Sequence, residues 1–77
     1  MKIEQCRAAR ALLDWSAADL AAAAGLGPVT VRRFESGQTV QPASVDLMRQ
    51  ALERAGVVII DQGDASRRGG IGVRLVV

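Results

Sequence analysis

The segment AAAAGLGPVTVRRFESG, Ala21 to Gly37, determines the architecture that this sequence predicts. Its alanine run ends at Gly25, a residue that readily takes the left-handed conformation in which many helices stop. Gly27 is placed to cap a new helix that begins on Pro28, because proline is favoured at the first position of a helix. The segment therefore predicts two short helices joined by the tight turn 25–27, which is a helix-turn-helix.

The first of these two helices has a strongly marked start. Ser16 can accept a hydrogen bond from a first-turn N–H, and Asp19 follows at the spacing that completes a capping box. Trp15 and Leu20 occupy the two positions of a hydrophobic staple. We therefore predict a helix that begins at Ser16 and runs to Ala24.

The rest of the chain adds two helices and two strands, which makes the fold class mainly α: four helices and a C-terminal β-strand pair. Apolar residues recur every three or four positions over Ile3 to Asp14 and again over Pro42 to Ala55. Gly56 ends the second of these helices. After it come VVII and VRLVV, two β-branched runs around the polar, glycine-rich loop DQGDASRRGG.

The third helix, predicted over residues 28–36, has an apolar and a polar side. Val31 and Phe34 share the inward side at i, i+3 spacing. The outward side carries Pro28, Val29, Arg32, Arg33 and Ser36. Gly37 ends the helix, and the polar loop GQTVQP follows. An outward side of this kind is free to enter a groove of DNA.

Composition argues against an enzyme, a metal site and a membrane protein. The 77 residues are 49% hydrophobic. They lack histidine, so the usual zinc and general-base arrangements are missing. The single cysteine, Cys6, cannot form an intramolecular disulfide. No apolar run approaches the roughly 20 residues of a bilayer span, and there is no apolar signal segment. We expect a cytoplasmic protein without cofactor, metal or small-molecule ligand. A net charge of +2 does not by itself indicate a polyanionic partner.

Residues 15–37 resemble the xenobiotic-response-element and lambda-repressor-like family of bacterial and phage regulators. Its pattern is an opening Ser, an acidic residue before Leu-Ala, a Gly-hydrophobic-Ser turn, then Thr-hydrophobic-x-Arg-hydrophobic-Glu-x-Gly. The matching residues are Ser16, Asp19, Leu20, Ala21, Gly25, Leu26, Thr30, Val31, Arg33, Phe34, Glu35 and Gly37. The resemblance implies a helix-turn-helix domain over residues 1–56 that binds double-stranded DNA, with the strand pair 57–77 outside the basic fold.

Departures from the family pattern narrow the expected DNA contacts. After the opening Ser the family has a glutamine that braces against a DNA phosphate, whereas this chain has Ala17 at that position. Where the family has the Ser of the turn, this chain has Gly27. Pro28 and Val29 cannot hydrogen-bond a base edge, although Val29 can touch a thymine methyl. The candidate DNA-binding residues are Ala17, Pro28, Val29, Thr30, Arg32, Arg33, Gln38 and Thr39. Among them Arg32 and Arg33 can donate to guanine N7 and O6, and Arg33 is expected to carry most of the specificity.

Other singled-out residues are interpreted mainly as structural. In the family, an arginine and a glutamate at the places of Arg10 and Glu35 form a partly buried bridge between helices one and three. Cys6 lies on the apolar stripe of the first helix, which favours a buried, inert thiol. Arg67 and Arg68 are either phosphate contacts or part of a solvated loop.

The function that these observations favour is a transcriptional regulator, by default a repressor, which inserts helix 28–36 into the operator major groove. Such regulators usually bind as two-fold dimers. We expect residues 57–61 and 72–77 to build a sheet shared across a homodimer, with 61–70 as a mobile loop near its edge. The competing arrangement is a hairpin folded back on helices one and four. Two alternatives remain. The regulator could activate transcription instead of repressing it, or the chain could be an antitoxin-like or phage accessory module that binds a partner protein.

Overall fold

Four helices are followed by a two-stranded sheet in the computed structural model, which describes residues 1–61 and 71–76. The elements are α1 (Ile3–Leu13), α2 (Ala17–Ala24), α3 (Pro28–Glu35), α4 (Pro42–Arg54), β1 (Val57–Ile60) and β2 (Gly72–Leu75). The predicted fold class is therefore confirmed. The predicted mobile loop beyond Asp61, its Arg67 and Arg68, and the predicted strand residue Val77 lie outside the described residues.

The predicted boundaries differ from the observed ones mainly at the C-terminal ends of elements, and at one start: α2 begins at Ala17, with Ser16 as its N-cap. Asp14, predicted as the last residue of the first helix, instead takes the left-handed conformation with φ 56° and caps α1. Ser36 and Ala55 are likewise caps of α3 and α4 rather than helical residues. Fraying shifts helix ends by one or two residues, and periodicity alone does not locate them.

The local signals around the turn between α2 and α3 are all present. The Asp19 N–H donates to Ser16 Oγ at 3.0 Å and the Ser16 N–H donates to Asp19 Oδ2 at 2.9 Å, which completes the capping box. Gly25 has φ 72°, a conformation that residues with a Cβ rarely adopt. The Leu26 N–H donates a hydrogen bond to the Ala21 carbonyl at 2.8 Å. These bonds turn the chain within three residues and set α3 against α2.

A buried apolar cluster joins the helices to the sheet. Alanines on α1, α2 and α4 allow close approach of the helices, and Trp15 and Phe34 pack against the cluster from its rim. Its members are Cys6, Ala9, Leu20, Ala21, Ala24, Val31, Met48, Ala51, Leu52, Val57 and Ile59. Since Val57 and Ile59 belong to it, the first strand is continuous with the helical core rather than appended to it.

The helices are short. The longest, α4, has 13 residues, whereas a bilayer-spanning helix needs roughly 20. Within the described ranges, no helix has both the length and the apolar composition that crossing a membrane requires. Helices of this length owe most of their stability to packing of their apolar face rather than to intrinsic propensity.

The two strands pair antiparallel within the chain, with Val57 opposite Leu75 and Ile60 opposite Gly72. β1 packs on α4, and β2 packs on α1. This is the hairpin folded back on helices one and four, so these helices cover the apolar face of the sheet. The sheet lies on α1 and α4, whereas the helix-turn-helix is built from α2 and α3.

Gln5 fastens α1 to the end of the sheet. Its side-chain amide donates to the Ile60 carbonyl at 2.9 Å and to the Gly72 carbonyl at 3.3 Å, and its Oε1 accepts from the Lys2 N–H at 2.7 Å. The residue is only 2% exposed, so these partners are what make its burial possible. Periodicity did not predict this role, because it singles out the apolar neighbours of Gln5.

Candidate nucleic-acid interface

The outward side of α3 is exposed along its length. Pro28, Arg32 and Arg33 are exposed, and Val29 has 57% of its surface accessible. On the opposite side Val31 is fully buried. The helix is therefore held by one apolar stripe, and its other side remains open to a ligand.

Arg32 and Arg33 take part in none of the ion pairs among the described residues. Those pairs join Arg10 to Glu35, Arg49 to Glu53, and Arg49 to Asp61. A guanidinium presents five donors in a planar fork, which matches a phosphate or the N7 and O6 edge of guanine. Two exposed guanidinium groups without an acidic partner make the α3 surface basic, although the net charge of the chain is only +2.

A surface groove of about 560 Å³ lies between α3 and the start of α4. Three of the predicted DNA-binding residues line it: Thr30 and Arg33 from α3, and Thr39 from the following loop. The remaining lining residues are Val40, Gln41, Pro42 and Ser44. The groove thus combines a guanidinium with hydroxyl groups and the first turn of a helix.

The α4 side of this groove was not predicted as part of the site. Gln41 is the N-cap of α4 and makes no side-chain cap bond. Pro42 has no N–H, and the Ser44 N–H donates to the Gln41 carbonyl at 2.9 Å, so in this turn the Ala43 N–H is the donor without a bond among the described residues. The N-terminus of a helix favours the binding of an anion, because the helix dipole places partial positive charge there. The start of α4 was marked in the sequence, because Pro42 occupies its first position as Pro28 does that of α3, but the packing that sets it beside α3 was not.

Five of the eight predicted residues do not line the groove: Pro28, Val29 and Arg32 lie on the outward side of α3, and Gln38 and Ala17 lie outside that side of the helix. The Gln38 side chain is exposed beyond the end of α3, where its amide donates to Ser36 Oγ at 3.2 Å. Ala17 is the first residue of α2, is half-buried and packs against the core cluster. A methyl group in this position offers no hydrogen bond to a phosphate, in contrast to the glutamine that the family pattern places there.

Arg10 of α1 and Glu35 of α3 form a bidentate ion pair. Arg10 Nε donates to Glu35 Oε2 at 2.8 Å, and Nη2 donates to Oε1 at 2.7 Å. The same guanidinium donates through Nη1 to the Trp15 carbonyl at 2.9 Å, and Cys6 Sγ donates to Glu35 Oε2 at 3.2 Å. The Glu35 side chain is only 8% exposed. The pair therefore anchors the last turn of α3 to α1 and fixes how the exposed arginines are presented.

The bridge also determines the protonation of its acidic groups. Burial by itself raises the pKa of Glu35, but the hydrogen bonds from Arg10 and Cys6 outweigh it and leave that pKa below its ordinary value. Burial first, and then the bond to Glu35, raises the pKa of the Cys6 thiol to about 12. Cys6 is thus a protonated donor at neutral pH and a poor nucleophile.

The lowered pKa of Glu35 predicts a loss of stability in acid. Between the folded-state pKa and the ordinary value of 4.5, the unfolded chain binds more protons than the folded one, so the free energy of unfolding falls as pH falls. We expect urea unfolding to show this decline below about pH 4.5. Glu35→Gln should flatten the profile in that window, and an equally steep profile in the variant would contradict the assignment.

Comparison with known families agrees with this geometry. A helix-turn-helix family model matches residues 7–57, about two thirds of the chain, which include most of α1 and all of α2, α3 and α4. Comparison with curated proteins finds no match. The matched family is one of DNA-binding regulatory domains rather than catalytic ones. The chain therefore belongs to the xenobiotic-response-element and lambda-repressor-like family of DNA-binding helix-turn-helix regulators.

Proposed function

We propose that this protein is a cytoplasmic transcriptional repressor that binds its operator as a homodimer, with α3 of each copy in the major groove. The observation that carries the proposal is the exposed side of α3, where Arg32 and Arg33 have no acidic partner among the described residues. The major groove, about 12 Å wide, admits an α-helix and presents a distinct donor and acceptor pattern for each base pair.

The residues of α3 have different roles in this proposal. Arg33 contacts a guanine through N7 and O6, and Arg32 contacts the sugar–phosphate backbone. Val29, the most exposed apolar residue of α3, contacts a thymine methyl. Base-edge contacts provide specificity, whereas phosphate contacts mainly set affinity and register.

The groove between α3 and α4 is the proposed phosphate site. Thr30, Thr39 and Ser44 supply hydroxyl groups, and the α4 N-terminus supplies the Ala43 N–H. Hydroxyl groups, backbone N–H groups and helix N-termini make many of the phosphate contacts in protein–DNA complexes. A phosphate held here places the adjacent Arg33 beside the bases.

The size of the domain supports binding by two copies. Its extents are 36 × 28 × 18 Å, and the half-sites of a two-fold operator lie about 34–36 Å apart. One domain therefore covers one half-site, and a pair side by side covers both. Repression requires no more than occupancy of the operator, since a bound dimer blocks access of the polymerase.

Arg32→Ala tests the phosphate role. We expect it to weaken binding to all duplexes by a similar factor and to lower the slope of log K against log salt concentration by about one. Fluorescence anisotropy with a labelled duplex between about 50 and 200 mM salt measures both quantities. Arg49→Ala is the matched control, because it removes the same charge from α4, where Arg49 pairs with Glu53 and Asp61.

The outcomes of this titration separate DNA binding from protein binding. The proposal is supported if affinity for DNA depends on salt, if Arg32→Ala lowers that affinity, and if Arg49→Ala leaves it nearly unchanged. Affinity for DNA that does not depend on salt, or equal losses in both variants, would contradict it. A module that binds only a partner protein would show no affinity for duplex DNA at low salt.

A further inference from the structure

Apolar side chains are exposed along β2 and at both of its ends. Ile71 and Leu75 each have 36% of their surface exposed, and Val76 has 54%. In β1, by contrast, Val57 and Ile59 are 2% and 5% exposed. The one exposed apolar residue of β1 is Val58, with 37% of its surface accessible, so covering β2 and its ends removes more apolar area from water than covering β1 does. Edge strands with exposed apolar residues invite pairing with another chain.

The hydrogen-bond pattern shows which backbone groups point away from the sheet. The Val76 N–H donates to the Gly56 carbonyl at 2.7 Å, and these two residues lie opposite each other in the observed register. Hydrogen-bonded and non-hydrogen-bonded pairs alternate along an antiparallel ladder. Arg74 therefore bonds toward β1, whereas Val73 and Leu75 direct their N–H and C=O groups outward. Among the described residues, β2 has β1 as its only neighbouring strand.

We propose that β2 pairs antiparallel with β2 of a second copy of this chain, about a two-fold axis at Val73, so that the dimer contains one four-stranded sheet. The choice of a second copy as the partner rests on the proposed function, because a two-fold operator requires two domains. The pairing supplies hydrogen-bond partners to the outward groups of Val73 and Leu75. It also covers the exposed apolar side chains at the seam.

The position of Arg74 selects the register. An axis at Arg74 would set the two Arg74 side chains directly opposite each other, and like charges in that position destabilise a strand pair. An axis at Val73 sets Arg74 opposite Gly72 of the second copy. It also sets Leu75 opposite Ile71 of the second copy, on the same face as Val73 because side chains alternate along a strand. The full length of residues 71–75 is then paired.

Val73→Pro tests the edge without touching the ladder inside the chain. The Val73 N–H points away from β1, so proline removes an outward donor and leaves the bonds to β1 in place. Sedimentation of the full chain should give the mass of two chains for wild type and one chain for Val73→Pro. Val73→Ile is the control, because it keeps both the N–H and the branched side chain, and it should remain a dimer.

Cross-linking tests the register on chains that keep the edge intact. Opposed Cα atoms of a hydrogen-bonded antiparallel pair lie about 5.5 Å apart, within disulfide range. Val73→Cys should therefore form a disulfide-linked dimer under mild oxidation, whereas Arg74→Cys should not. Cys6 does not interfere because it is buried. The reverse pattern would overturn the register, and a wild-type monomer, or a Val73→Pro dimer, would overturn the interface.

Binding to one-half-site and two-half-site duplexes separates this inference from the proposed function. Val73→Pro should bind a single half-site within twofold of wild type but lose the 10²- to 10⁴-fold gain that two linked half-sites provide. The wild type could prove to be a dimer that the Val73→Pro substitution dissociates, and yet bind neither duplex. That result would contradict the proposed function and leave the β2 interface standing. DNA binding by a wild type that stays monomeric would contradict the β2 interface and the homodimer, but would leave DNA binding through α3 standing.

Discussion

Arg10→Ala is expected to lower the free energy of unfolding by about 3–5 kcal/mol, because it leaves the Glu35 carboxylate buried without its counter-ion. Glu35 is 8% exposed on its side chain, so water does not readily replace the lost guanidinium. A domain of this size is stable by only about 4–12 kcal/mol in total. Urea unfolding at pH 7, followed by circular dichroism, should therefore show a large shift of the midpoint.

Two further variants identify the cause of that loss. Arg49→Ala removes an arginine whose partners Glu53 and Asp61 are exposed, and should cost no more than about 1 kcal/mol. Replacing both members of the buried pair, as in Arg10→Met with Glu35→Leu, should cost less than Arg10→Ala alone, since no charge is left unpaired. An Arg10→Ala variant that unfolds like the parent but fails to bind DNA would show that the pair serves recognition instead.

Arg33→Ala is expected to reduce discrimination for one guanine per half-site by about 1–3 kcal/mol. The expectation is specific to Arg33 because Pro28 and Val29, which precede it on the outward side of α3, have no polar group to offer a base edge. Arg33 is exposed and lies at the groove beside Thr30, so its loss should leave folding nearly unchanged. Competition between duplexes that differ only at that guanine measures the effect.

A lysine at the same position separates charge from geometry. Arg33→Lys keeps the positive charge but loses the planar fork that bonds guanine through two N–H groups. It should retain most of the salt-dependent affinity and lose much of the discrimination. Equal discrimination by wild type and Arg33→Ala would show that Arg33 does not contact a base.

The turn between α2 and α3 was predictable because its determinants are local. The capping box of Ser16 and Asp19 and the left-handed Gly25 all act within a few residues of the chain. Pro28 marks the next helix start in the same way. The periodicity of Val31 and Phe34 then correctly separates the buried from the exposed side of α3. Local signals of this kind appear in a sequence without knowledge of the tertiary fold.

The long-range contacts were less accessible from the sequence. Gln5 and Ile60 are 55 positions apart, and no local pattern marks a buried amide that bonds to the end of a sheet. Arg10 and Glu35 are 25 positions apart, and only the family resemblance suggested that they pair. The share of α4 in the groove likewise depends on how α3 and α4 pack. Side chains that act between elements are placed by the tertiary fold rather than by their neighbours in sequence.

Selection of bound duplexes from a random pool, with wild type and Arg33→Ala in parallel, tests most directly whether the exposed arginines of α3 contact DNA. Wild type should enrich two inverted half-sites about 34–36 Å apart, each with a guanine at the same position. That guanine should lose its enrichment with Arg33→Ala. A wild-type pool without a preferred sequence, or the same guanine preference in both pools, would contradict the assignment of α3 as the DNA-reading helix.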